Sequence, residues 1–120
     1  MNFYRVKFEL FKFTLISLGS LLGVILRLQI NNYFITNSIG SLIIGLALGI
    51  GLKSYQKLFV CVGFCGTLTI FSGWMFNCLS LFSSGDVEKS LFILLSSIIS
   101  GLTLAFLGFV SGEQIRSRYL

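Results

Sequence analysis

The chain has 120 residues, of which 55% are hydrophobic and 11% charged, so it is far too apolar for a water-soluble domain, where about 25% of residues carry charge. Its net charge of +5 comes from Lys and Arg that flank apolar runs, which reads as topology signals and headgroup contacts and argues against a nucleic-acid surface. Histidine is absent, and neither paired carboxylates nor a phosphate loop occur, which argues against an enzyme.

Four apolar runs follow one another, each near the length of about 20 residues that crosses the hydrocarbon. The first covers Phe13 to Leu28. The segment before it is basic, like the start of a secretory signal, but no small-x-small cleavage site closes the apolar run, and a retained first span is expected. Gly19, Gly23 and Arg27 recur every four residues and share one helix face. The glycines permit close helix approach; Arg27 either snorkels, pairs with a neighbouring helix or draws anions into a vestibule.

The second run, Tyr33 to Leu52, carries Asn37, Ser41, Gly45 and Gly49 on one stripe, with Gly40 beside it. An asparagine at bilayer depth needs a partner, either another helix or an anion that its amide N–H groups could meet. The third run, Leu58 to Phe82, contains "GFCGTLTIFSGW", with Gly63, Gly66 and Gly73, two threonines and a serine in a stretch that holds no charge. A span weakened this way predicts a break near its centre, eased by the glycines, with main-chain carbonyls between Gly66 and Thr69 released toward a cation. A merely bent helix is the alternative. Cys61, Cys65 and Cys78 also lie here and read as small packing residues, being odd in number and without metal-ligating neighbours. The fourth run, Leu91 to Ser111, aligns Ser97, Gly101, Ala105 and Gly108, while Ser96, Ser100 and Thr103 suit hydroxyl bonds back to their own helix.

No Asp or Glu falls inside a run. That removes the titratable group a proton-coupled transporter uses and the carboxylate ring of many cation channels. Neutral donors and aromatic ring edges remain, which suit an anion. Four crossings place the N-terminus, the 52–58 loop and the C-terminus on one side. That side holds seven of the nine Lys and Arg, so both termini are expected in the cytoplasm.

Three blocks in this order resemble the CrcB/Fluc fluoride channel family: "GSLLGVILR" in the first run, "NSIGSLIIG" in the second and "GFCGTLTIFSGW" in the third. "SIISGLTLAFLG" in the fourth is a looser match. The resemblance implies an all-α membrane protein of one domain, with four transmembrane helices, the third broken near its centre, in an antiparallel dimer of the dual-topology type. It implies passive fluoride export through the cell inner membrane and a structural sodium ion held by the carbonyls of Gly66 and Thr69. Asn37, Phe71, Trp74 and Ser97 would line the pore, and Arg27 would match the family arginine. The chain departs from the family pattern at Trp74, where a phenylalanine is usual, at Asn32 and Tyr33, and at Asn77, which replaces a glutamate. Its strong charge bias suits one orientation, which favours a heterodimer with a homologous, oppositely biased subunit over a homodimer. A four-span multidrug exporter would need a carboxylate in the first run, which this chain lacks; a non-conducting accessory subunit is the other alternative.

Overall fold

The protein is described by a computed structural model covering residues 3–119, and the regular structure of those residues is helical throughout. Helix α1 runs from Phe3 to Ile30, about 42 Å at the α-helical rise. It starts well before the apolar run because nothing in the N-terminal segment, which has no proline, stops it. An i,i+3 ion pair of Lys12 and Glu9 at 2.9 Å supports this extension.

The turn that follows is built from two asparagines. Asn31 takes a left-handed conformation at φ 47°, which asparagine tolerates better than most residues. Asn32 caps α2 (Tyr33–Ile50) by accepting the Ile35 N–H at 3.1 Å. Gly51, at φ 77°, closes α2 in the left-handed region that favours glycine.

The third crossing is composite. Helix α3 (Ser54–Lys57) leads into a π-helical stretch, Leu58–Cys65, and then into the single turn α4 (Gly66–Leu68). Thr69 (φ −79°, ψ 145°) and Ile70 (φ −143°, ψ 115°) are extended, and α5 (Phe71–Ser83) resumes after them. Helix α6 (Val87–Tyr119) completes the chain. Among the described residues, four helical runs are long and apolar enough to cross a membrane: α1, α2, Ser54–Ser83 and α6. The long axis of the molecule, 57 Å, exceeds a hydrocarbon core of about 30 Å, so α1 and α6 project charged ends beyond it.

Two helix pairs carry the packing. In the first, α1 lies on the third crossing. A methyl group on Gly19 would strike the Phe59 carbonyl, and one on Gly23 the Phe64 carbonyl. In the second, α2 meets α6 through Gly45 and Gly49 on one side and Gly108 and Gly112 on the other, each against the partner's main chain. The predicted stripes of α2 and α6 therefore face each other. The glycines of the third run act differently from the steric role expected of them. Gly63 packs on Gly19 and Ile16, Gly73 lies under the Tyr33 ring, and the two extended residues are the β-branched Thr69 and Ile70. β-branched side chains suit extended backbone and disfavour helix, so the local preference lies at the extended pair itself.

The buried core is small: Leu68 and Cys65 are fully enclosed, and Cys78 nearly so. All three cysteines are free thiols. Large apolar side chains such as Phe76, Phe92 and Phe106 point outward, as lipid-facing residues do.

Close approach of α2 and α6 predicts unequal tolerance of added methyl groups. Gly108→Ala meets the Leu42 main chain and should destabilise the fold by about 1–3 kcal/mol. Gly101→Ala meets only the Ser41 hydroxyl at 3.4 Å and should change stability little. Denaturant unfolding in detergent, followed by circular dichroism, compares the two.

Candidate functional site

An unbroken helix would pass the Ile70 N–H to the Gly66 carbonyl four residues back. Here the Ile70 N–H goes instead to Asn37 Oδ1 at 2.8 Å, while Asn37 Nδ2 donates to the Ile70 carbonyl at 3.3 Å. One asparagine side chain on α2 thus pairs with both main-chain groups of Ile70. The Thr67 carbonyl, whose helical donor would be the Phe71 N–H, receives Arg27 Nη1 at 2.8 Å. Arg27 and Asn37 are therefore supports of the same stretch, from opposite neighbours. Thr67 is tied down further, its hydroxyl lying 3.0 Å from the Ser20 carbonyl across the α1 contact.

These bonds change the expected roles of two residues. The Asn37 amide was a candidate donor to an anion, yet one of its N–H groups is held by Ile70. The Trp74 N–H, which the usual phenylalanine would lack, donates to Ser97 Oγ at 3.0 Å. Both are drawn inward because an unpaired polar group at this depth is costly.

A cleft of about 250 Å³ gathers most of the sequence-predicted residues. Its walls include Asn37, Thr69, Phe71, Trp74 and Ser97. Arg27 and Gly66 do not line it; Arg27 lies behind on α1, and Gly66 is exposed on the face of the third crossing. Sequence reasoning missed Ile70 and Ile98 in the wall and passed over Thr67. The β-branched pair Thr69–Ile70 was the available signal for Ile70; Thr67 carried none, since one threonine among several is uninformative. Ser41 and Gly101 also line the cleft, as their shared stripes with Asn37 and Ser97 suggest. Among the described residues the cleft is lined by hydroxyl, amide, aromatic and isoleucine side chains and by no charged one. Phe71 and Trp74 rings stand 5.5 Å apart, tilted by 60°.

Sequence comparison shows the family. Residues 14–109 match the family model described as CrcB-like protein, Camphor Resistance (CrcB). The chain belongs to the CrcB-like family. A fluoride-specific ion channel FluC 1 from one strain of Prochlorococcus marinus is 37% identical over 112 residues, covering 93% of this chain and 90% of that relative. A FluC 2 channel from another Prochlorococcus marinus strain is 38% identical over 102 residues, covering 85% and 82%. A fluoride-specific ion channel FluC from Thermus thermophilus is 32% identical, covering 87% of this chain and 95% of the relative. These relatives are named as channels, not enzymes, and with the four apolar helices they make this CrcB-like chain a multi-pass membrane protein.

The Asn37–Ile70 pair sets a test. Asn37→Ala strips both Ile70 groups of their partner, and with each unsatisfied group costing about 1–3 kcal/mol the loss should be about 2–6 kcal/mol. Denaturant unfolding in detergent measures it, and amide exchange at Ile70 should accelerate in step.

Proposed function

We propose that this CrcB-like chain is a subunit of a fluoride-selective channel that lets fluoride leave the cytoplasm passively. The single observation that carries the reading is a cleft with no charged side chain among the described residues, walled by Asn37, Ser97, Phe71 and Trp74 beside extended main chain, in a chain whose relatives are named fluoride-specific channels. An anion meets no carboxylate there, and hydroxyl, amide and ring-edge groups replace part of its hydration shell.

A structural sodium ion belongs to the same proposal. Because Asn37 takes the Ile70 N–H, the Gly66 carbonyl loses its helical donor, and the extended ψ of Thr69 turns that residue's carbonyl out of the helical direction. Neutral carbonyl oxygens of this kind fit a hard, singly charged cation. Gly66 and Thr69 would hold it, and its charge would make the neighbouring path favourable to an anion. Two oxygens from one chain are too few for a cation, so a second subunit would complete the set. The third crossing then acts as a discontinuous span, with its freed groups facing an ion and a partner and not lipid.

The second subunit is proposed to be an antiparallel homologue. The charge bias of this chain, with both termini on the cytoplasmic side, opposes insertion in the reverse sense. Relatives from two Prochlorococcus marinus strains carry the names FluC 1 and FluC 2, numbering that leaves room for a second homologous chain.

Liposomes loaded with potassium fluoride or chloride and read with ion-selective electrodes test the channel. Protein made with an oppositely biased CrcB-like partner should release fluoride and retain chloride, whereas this chain alone should release little. Absence of fluoride release with every partner would make it an accessory subunit. Exchanging sodium for a large organic cation should lower the melting temperature of the assembled dimer and leave that of the separated chain unchanged, because an ion held between subunits stabilises only the assembled form.

A further inference from the structure

A second cleft, of about 340 Å³, opens beside the first, between the α1–α2 turn and the facing parts of α5 and α6. Asn31, Asn32, Tyr33, Asn77 and Ser96 are in its walls, so it is an uncharged, amide-rich vestibule. Among the described residues, one side chain belongs to both walls: Trp74. It is 8% exposed, its N–H is anchored on Ser97 Oγ at 3.0 Å, and its ring leans on Phe71. The indole thus stands as a partition between vestibule and inner cleft.

We propose that Trp74 is a latch, closed in this structure, and that an anion opens it by taking the indole N–H from Ser97. The reading rests on the proposed channel for the ion that passes, but not for the partition itself. The chemistry is a contest of acceptors. Ser97 offers a neutral hydroxyl oxygen, whereas an anion accepts a charge-assisted hydrogen bond that is roughly twice as strong. An anion arriving from the amide-lined side therefore replaces the bond it breaks. Once the indole swings away, the Ser97 hydroxyl, no longer an acceptor, remains free to donate to the ion. A phenylalanine at this position would lack the N–H and so could not be anchored in this way. The departures at Asn32, Tyr33 and Asn77 line the vestibule on the latch's outer side, so they and Trp74 form one feature.

A thiol placed in the inner cleft reports on the latch without any need for conduction. Ser41→Cys is made in a background whose native cysteines are alanine, reconstituted in liposomes, and exposed to a small charged thiosulfonate. With Trp74 in place the thiol should react slowly. Ser97→Ala keeps the ring but removes its anchor, and should speed the reaction by about two- to tenfold, the equilibrium shift expected for one hydrogen bond. Trp74→Phe and Trp74→Ala should speed it at least as much, and fluoride should speed it in the Trp74 protein but not in the Trp74→Ala protein. Equal rates in all four proteins, with helix content unchanged, would overturn the latch. Ser97→Ala and Trp74→Phe carry the comparison if Trp74→Ala does not fold. Accelerated labelling with no fluoride flux in any variant, each reconstituted together with the oppositely biased partner, would defeat the channel reading and leave the latch standing. Fluoride flux with uniform labelling would defeat the latch alone.

Discussion

The structure depends on one side-chain amide. Extended backbone at Thr69 and Ile70 frees main-chain groups at a depth where lipid offers no hydrogen bonds, and such backbone survives only if something else satisfies them. Asn37 does this for Ile70 in both directions, and Arg27 does it for Thr67. Asparagine suits the first task because its amide donates and accepts in one plane, matching a peptide group. Arginine suits the second because its long side chain reaches across from α1 and its guanidinium donates to the carbonyl.

That requirement explains why the glycines lie elsewhere. Asn37 reaches Ile70 only if α2 is close to the third crossing, and Arg27 reaches Thr67 only if α1 is close as well. Gly19, Gly23 and Gly63 bring α1 near, and Gly40 admits the Thr69 methyl against α2. Small residues therefore work on the helix interfaces, where they set the distance over which polar side chains act. The π-helical stretch from Leu58 to Cys65 belongs to the same region, and π-helical turns are frequent at functional sites.

Much of this was legible in the sequence. Lengths and hydropathy of the runs marked four apolar helices, and the i+4 stripes marked the faces that meet, because both follow from helical periodicity alone. Asn37, Phe71, Trp74 and Ser97 could be named beforehand and do share a cleft. What could not be read was which donor takes which acceptor. Sequence gives Asn37 and Trp74 as polar groups at depth; only the fold shows that Ile70 and Ser97 hold them. The helix ends were also hidden. Apolar runs report where lipid is, whereas helices continue into water as long as no breaker intervenes, as α1 does back to Phe3 and α6 does on to Tyr119.

The absence of carboxylates at depth and the near-complete pairing of polar side chains belong to one design. A carboxylate could have satisfied a main-chain N–H as well as Asn37 does, but it would carry a charge opposed to any anion in the adjoining cleft and could offer nothing to the Ile70 carbonyl. Asn37 avoids both faults and keeps a second amide N–H beyond the one given to Ile70. Ser97 likewise accepts from Trp74 and retains a hydroxyl proton to donate. Asn37 and Ser97, both in the cleft wall, therefore complete the fold and still keep one donor each. In the proposed channel, structural satisfaction and hospitality to an anion would draw on different atoms of Asn37 and Ser97, so that neither would have to be sacrificed for the other.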